Sequence, residues 1–437
     1  MNFDRMRALL LEQAVQGKLV PQLEDEPAVE QIGEAPKIQP FAIPKKWKWV
    51  RLNAVGKVIG GGTPKTGVSA YWNGDIPWIT PADLGKNHDQ IICSGAKLIT
   101  QKGLDESAAR LMPKGSSVYS SRAPIGHIAI AGNDLCTNQG CKSFVPDSKC
   151  ISTEWAYYML IARTSDIQSR ASGTTFKEIS GKGMGETWIS LPPLPEQIRI
   201  VTKIEKSFTE INRAEKAYRE LQTLTAVLRK KILQEAVMGK LVPQLHGEPA
   251  VEQIGDAPED VLFEIPKKWT WELMSSIVDV RDGTHDTPKY VDNGIPFVTS
   301  KNLCEGKINF STVKFISRED HELFSKRSKV DSGDLLMAMI GTIGNAVIIP
   351  DDVQEFSIKN IALLKRKDAV ELDFSYVLVV LKALEKTMNE QASGSVQKFV
   401  SLKFLRNLPI PVPPLSEQRR IVAKVEELMA QVDRLAT

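Results

Sequence analysis

The feature that most restricts what this chain can fold into is a repeat of its own edges. EQAVQGKLVPQLEDEPAVEQIGEAP (Glu12–Pro36) returns 222 residues later as QEAVMGKLVPQLHGEPAVEQIGDAP (Gln234–Pro258), with 19 of 25 positions identical. The same offset carries IPKKWKW (Ile43–Trp49) onto IPKKWTW (Ile265–Trp271), and PPLPEQIRIVTKIE (Pro192–Glu205) matches PPLSEQRRIVAKVE (Pro413–Glu426) at 10 of 14 positions. Between these edges lie two blocks, about residues 40–190 and 262–412, whose interiors correspond weakly. Thr63-Pro64 answers Thr287-Pro288, Ile76–Trp78 answers Ile295–Phe297, Ile125-Gly126 answers Ile343-Gly344, and Ser172–Ser180 answers Ser393–Ser401. A constant framework with differing contents is the pattern of a scaffold presenting two different binding modules.

The framework reads as helix. From Glu196 to about Met238 there is no proline, and Val201, Ile204, Phe208, Ile211, Tyr218, Leu221, Leu224, Leu228 and Ile232 fall mostly three, four or seven residues apart. That spacing makes an apolar stripe along one helical face. Gly239 supplies a C-terminal stop, followed by Pro243. At ~1.5 Å per residue such a helix would be about 60–65 Å long, beyond an ordinary domain helix. The C-terminal segment Glu417–Thr437 corresponds to its first half and the N-terminal segment Met1–Val15 to its second half. Both chain ends are therefore expected to lie along the central helix as an antiparallel partner, in a circular, pseudo-two-fold arrangement.

Each block opens with IPKKWxW and continues as short alternating segments punctuated by Gly, Pro, Asn and Asp, including Ile76–Thr80, Ser116–Ser121, His127–Gly132, Ile295–Ser300, Asp334–Ile340 and Asn345–Pro350. These read as strands, and helices are expected around Glu154–Arg170 and Phe374–Gln391. The fold class is α/β: two mixed α/β recognition domains separated by long antiparallel coiled-coil helices. The division is 1–39 helix and connector, 40–190 first domain, 191–261 central helix and connector, 262–412 second domain, and 413–437 C-terminal helix.

Composition narrows the function. The longest uncharged apolar-rich stretch, Leu335 to Pro350, carries Gly341 and Gly344 and is shorter than a membrane span requires. The N-terminus has an early Asp4 and only a brief apolar run, so a cytoplasmic location is expected. Cys93, Cys136, Cys141, Cys150 and Cys304 include no CxxC pair, and scattered reduced thiols fit better than a zinc site built from Cys136, Cys141 and Cys150 with His127. The first block holds 18 Lys+Arg against 11 Asp+Glu, while the second holds 20 of each. A basic face suited to phosphates is evident only in the first.

Candidate DNA contacts follow from residue chemistry. The turn Gly60–Lys65 offers backbone amides, Thr63 and Lys65 to a phosphate, or is a plain turn; it lacks the GK[ST] ending of a P-loop. Its counterpart, Arg281–Lys289, carries Arg281, Thr284, His285 and Lys289. Arg commonly reads guanine and Asn adenine, which selects Arg122, Arg281 and Asn302 as base readers or, equally, as surface and turn residues. Lys177, Lys301 and Lys398 complete the candidate DNA-binding set. Lys326–Lys329 reads as a solvated basic run, Gly181–Gly185 as a loop, and Trp47/Trp49 with Trp269/Trp271 as structural anchors. No GxxxxGK[ST], no HExxH and no amino-methyltransferase tetrapeptide with two prolines before an aromatic is present, so catalysis is expected elsewhere.

The helix starts LPPLPEQIRIVTKIE and VPPLSEQRRIVAKVE and the helix ends QGKLVPQL and MGKLVPQL resemble, over the whole length, the specificity subunit of type I restriction-modification systems. The resemblance implies that each variable domain reads one half of a bipartite, asymmetric double-stranded DNA site, with the halves held roughly one duplex turn apart. It also implies two docked methyltransferase subunits and, for restriction, motor-nuclease subunits. S-adenosylmethionine, ATP and Mg²⁺ would then bind those partners, with no cofactor in this chain. Leu194, Glu196, Gln197, Leu415, Glu417 and Gln418 match the family's helix starts and are expected at the methyltransferase interface, as helix caps, or both. Two rivals stay open: the specificity subunit of a related restriction system outside type I, and a structural coiled-coil adaptor that reads no DNA.

Overall fold

The computed structural model describes residues 1–122, 124–173, 177–304, 306–341, 343–392 and 398–436. Ser172–Ser180 and Ser393–Ser401, matched in the sequence, lie partly outside them. The chain divides into two compact units, Met1–Ala217 and Tyr218–Thr437. The long helix, Leu194–Val237, is continuous and contributes to both.

In the first unit the N-terminal helix Phe3–Val15 starts where Asn2 Oδ1 accepts from Arg5 N at 2.9 Å. It runs antiparallel to the beginning of the long helix. Arg7 reaches Asn212 and Glu215, while Leu11, Ala14 and Val15 share one core with Ile200, Val201 and Ile204. The second unit repeats this with the C-terminal helix Leu415–Ala436. Arg229 pairs with Asp433, and Ile421, Val425 and Val432 bury with Ile232, Ala236 and Val237. The expected antiparallel pairing by both chain ends is thus present, one end in each unit.

Both helix stops are glycines in left-handed backbone. Gly17 has φ +70° and Gly239 φ +68°, a region that disfavours any Cβ. Space is closed as well: a Cβ would lie 2.3 Å from Pro44 Cγ at the first and 2.3 Å from Pro266 Cγ at the second.

The block interiors, weakly alike in sequence, share one topology. In the first, Gly56–Gly60, Lys142–Pro146, Ser117–Tyr119 and Ile128–Ala131 form an antiparallel run extended in parallel by Ile91–Ile92. A second sheet sets Trp72–Ile79 between antiparallel Lys97–Ile99 and parallel Cys136–Thr137. In the second block Val278–Asp282, Ile361–Arg366, Leu335–Ala338 and Gly344–Ile348 make the corresponding antiparallel sheet. Ile295–Thr299 sits between antiparallel Lys314–Ile316 and parallel Ser357–Lys359. A two-stranded ladder closes each block where it meets the framework, Lys48–Arg51 with Trp188–Leu191 and Thr270–Leu273 with Pro409–Val412.

Two local expectations change. The helix expected over Glu154–Arg170 is two helices, Thr153–Ala162 and Thr164–Ser169, broken at Arg163. Gly181–Gly185, expected as a loop, is a short helix, because Ser180 Oγ caps it by accepting from Gly183 N at 3.0 Å. The helix Phe374–Glu390 agrees with the reading from sequence. No helix among the described residues is long and apolar enough to cross a membrane.

Candidate nucleic-acid interface

Two kinds of place carry the expected residues: the helix starts, where the framework grips each block, and the loops where the strands of each block end.

At the helix starts the repeated residues turn inward. Glu196 and Gln197 are fully buried, as are Glu417 and Gln418. Trp47 Nε1 donates to Glu196 Oε2 at 2.9 Å and Gln22 donates to the other carboxylate oxygen. In the second unit Trp269 Nε1 donates to Glu417 Oε2 at 3.1 Å, and Gln244 takes the place of Gln22. Gln197 donates to Pro192 O at 2.9 Å and accepts from Ser152 N at 2.8 Å; Gln418 does the same with Pro413 O and Asp373 N. Around each node Arg199 holds Glu26 at 2.7 Å and Arg420 holds Glu248 at 2.6 Å. Burial pushes both node carboxyls upward, opposed by the tryptophan and glutamine donors and reinforced by the second carboxylate nearby. Satisfied in this way, the four side chains lock block to helix and present no polar atom to a docking protein. Leu194 and Leu415 are half-buried beside them. The tryptophan anchors fit the same joint, since Trp47, Trp49 and Trp269 are all buried.

In the first block the candidate loops converge. Thr63 donates to Gln139, and Lys142 donates to Gln139 O at 2.9 Å and meets Glu178 at 3.0 Å. Arg122 shares Glu178 at 3.7 Å. Lys65 and Lys177 are exposed at the flanks of this cluster. Gly62 N donates to Thr137 O at 2.9 Å, and a Cβ on Gly61 would strike Asn138 O at 2.0 Å, so the glycine turn lies flat against the 137–142 loop.

The second block builds the corresponding turn with other side chains. Thr284 N donates to Ile358 O at 3.1 Å, in the place of Gly62 and Thr137. His285 lies between Asn360, 2.8 Å from Nδ1, and the buried Asp282, 2.7 Å from Nε2. Asp282 also receives Arg327, which draws the Lys326–Lys329 run into this network. Arg281 is held by Asp279 at 2.7 Å, and Lys289 and Lys398 are exposed. Lys301 is exposed on the rim of a cavity of about 540 Å³. Of its two readings, base reader or turn residue, Asn302 takes the geometry of the second. It is 4% exposed, at the edge of the same cavity; its Oδ1 accepts from Thr299 N and Oγ1 at 2.9 Å and its Nδ2 donates to Asn309 O at 3.2 Å, so its polar atoms close a turn.

Sequence reasoning missed Asn138, Gln139, Lys142, Lys314, Lys359 and Asn360. The cluster Asn138-Gln139-Gly140 was a visible turn signal, but only the parallel pairing of Cys136–Thr137 with Trp72–Ile79 brings it against Thr63. Among the described residues no group of His, Cys, Asp or Glu could hold a metal ion; Cys136 and Cys141 are buried thiols, both pushed up to about 12 by burial.

Comparison with known proteins adds a family. Residues 44–221 and 270–436 match the model described as type I restriction modification DNA specificity domain. The type I restriction enzyme MjaIX specificity subunit of Methanocaldococcus jannaschii is 28% identical over 401 residues, covering 89% of this chain and 88% of that one. The EcoBI specificity subunit of Escherichia coli is 22% identical over 407 residues, covering 90% and 82%. Among solved structures, the HsdS subunit from Thermoanaerobacter tengcongensis shares the fold with a TM-score of 0.58 at 20% identity, over 91% of this chain and 92% of that one. A chain from a structural study of complex assembly in the type I R-M system does so with a TM-score of 0.68 at 21% identity, over 91% and 93%.

Proposed function

Because this chain belongs to the type I restriction-modification DNA specificity family, we propose that its two blocks read the two halves of one bipartite, asymmetric DNA site. The chain is the DNA-specificity subunit of a type I restriction-modification complex. Residues 40–190 and 262–412 are the readers in this proposal, and 1–39, 191–261 and 413–437 the framework on which methyltransferase subunits dock, with restriction subunits joining them. The chemistry, with S-adenosylmethionine, ATP and Mg²⁺, belongs to those partners, and this chain supplies recognition.

One observation carries the reading. The same sheet topology, mounted on the same buried node, ends in loops of unlike chemistry: Thr63, Arg122, Gln139 and Lys142 in one block, His285, Ile340, Asn360 and Lys359 in the other. Two readers of different sequences require this, whereas a structural adaptor has no use for it. In the first block Lys65, Lys142 and Lys177 position the phosphates, and Arg122 is set for a base edge.

The test is methylation-site sequencing of DNA from cells expressing the chain with its cognate methyltransferase. A gapped, two-part adenine-methylated motif is expected. Exchanging residues 262–412 for the block of another family member should rewrite one half only; a change in both halves, or in neither, overturns the reading.

A further inference from the structure

The second block is electrically neutral in sum, yet one of its cavities has only cations among its charged lining residues. The cavity of about 540 Å³ is lined by Lys301, Lys314 and Lys359, by Tyr290 and Phe297, and by Asn360, with no aspartate or glutamate among its described lining residues. A separate cavity in the same unit, about 810 Å³, carries Asp256, Glu259 and Asp260 with one lysine, Lys403. Lys314 Nζ stands 4.2 Å from the Tyr290 ring centroid and Lys359 donates to Thr287, and none of the three ammonium groups has a carboxylate partner among the described residues. Three ammonium groups converging on one opening without a counter-charge favour an anion there.

Beside this opening lies a side-chain pair that the first block reproduces. The Asn360 carboxamide is engaged at one atom by His285 Nδ1 from the glycine turn, 2.8 Å away, and Gln139 Oε1 by Thr63 from the equivalent turn. Each carboxamide follows the strand that pairs in parallel with the central strand of the small sheet, Ser357–Lys359 in one case and Cys136–Thr137 in the other. With one polar atom held, the other polar atom of each carboxamide is left without a protein partner among the described residues. A carboxamide fixed at one atom and open at the other is a directional hydrogen-bonding group suited to a base edge.

Resting on the half-site reading above, we infer that the strand-exit carboxamide is the specificity-determining position of each reader, Gln139 in the first and Asn360 in the second. Lys301, Lys314 and Lys359 hold the phosphates of the half-site that Asn360 reads. The lysines give affinity without sequence preference, and the carboxamide gives preference at one base pair.

The experiment uses the full chain in complex with its methyltransferase, titrated with a duplex bearing its own methylated motif and with duplexes altered one base at a time in either half. Asn360 has φ +53°, which glycine accepts, so Asn360→Gly removes the carboxamide without backbone strain. It should cut discrimination at one position of one half by about 5- to 150-fold and leave the other half intact. Gln139→Ala should do the same in the opposite half. The triple variant Lys301→Ala, Lys314→Ala, Lys359→Ala should weaken binding to matched and altered duplexes alike and reduce the slope of log affinity against log salt by about three, with the motif unchanged. Parental selectivity in both carboxamide variants, or a parental salt slope in the lysine variant, overturns the assignment. If Asn360→Gly binds no DNA, the isosteric Asn360→Asp decides: a new preference at the same base supports the inference and the old preference refutes it. Block exchange that rewrites one half while these variants change nothing would leave the half-site reading standing and remove only this assignment.

Discussion

Gly239→Ala tests whether the framework is held by the tightness of its helix ends. Gly239 has φ +68°, and placing an L side chain in left-handed backbone costs about 1–2 kcal/mol. The added Cβ would lie 2.3 Å from Pro266 Cγ, 2.7 Å from its Cδ and 3.1 Å from Trp269 Cζ2. The proline ring must therefore shift by roughly 1 Å to regain ordinary contact, and overpacking of this kind costs about 1–3 kcal/mol. The sum is about 2–5 kcal/mol, and more if Trp269 leaves Glu417. Gly33→Ala is the matched control, since Gly33 has φ +72° with nothing within 4 Å of the added Cβ, and it should cost only the backbone part, about 1–2 kcal/mol. At about 2–4 °C per kcal/mol for a unit of this size, Gly239→Ala should lower the second unit's melting temperature by about 4–20 °C and Gly33→Ala that of the first by about 2–8 °C. Thermal unfolding followed by tryptophan fluorescence reads both. A Gly239→Ala loss no greater than that of Gly33→Ala would refute the packing argument, leaving only the left-handed turn.

The node carboxyls give a pH signature. Folded Glu196 and Glu417 are raised above 4.5, so the folded state binds more protons, and their contribution to stability, complete below the unfolded value, is lost as pH rises through the folded values. Glu196→Gln with Glu417→Gln should flatten this, so the melting temperature of the parent relative to the variant should fall between pH 5 and pH 8; a rise would contradict the burial argument. Asn302→Ala should cost about 1–3 kcal/mol through its lost turn bonds and leave the methylated motif unchanged on sequencing, whereas an altered motif would restore it as a base reader. Cys93 is exposed, while Cys136 and Cys141 are buried with thiols pushed up to about 12, so a maleimide at pH 7.5 should label Cys93 in the folded protein and reach the other two only on unfolding.

The framework was legible because its signals are local and doubled. The apolar stripe from Val201 to Ile232, the glycine stops and the repeated IPKKWxW announce helices and joints without reference to distant residues. What Glu196, Gln197, Glu417 and Gln418 do was not legible. An acid followed by an amide at a helix start looks the same whether it faces a partner or an indole, and the partners that decide it, Trp47 and Gln22, lie 149 and 174 residues away. Asn302 stayed ambiguous for the opposite reason. Its partners Thr299 and Asn309 are close in sequence, but asparagine closes turns and reads adenine with the same two atoms. The strand-exit residues Gln139 and Asn360 were hidden because their placement comes from one parallel strand pairing, and such pairings join segments far apart in sequence.

The energetics of the two kinds of site explain why a duplicated chain would keep one and change the other. At each node a buried carboxylate is satisfied by an indole and an amide, so changing any one member strands a polar or charged group in the interior, at roughly 1–3 kcal/mol or more. Three residues would have to change together, and that keeps Gln22, Trp47 and Glu196 identical in type to Gln244, Trp269 and Glu417. At the strand exits Gln139 and His285 are exposed and Thr63 and Asn360 half-buried, so water can replace a lost partner and substitution is cheap. Thr63 with Gln139 can stand where His285 stands with Asn360, because the backbone bonds that shape the turn, Gly62 N to Thr137 O and Thr284 N to Ile358 O, involve no side chain. The fold thus fixes where these side chains stand and leaves open which they are, the separation that lets one architecture carry two unlike sets of loops.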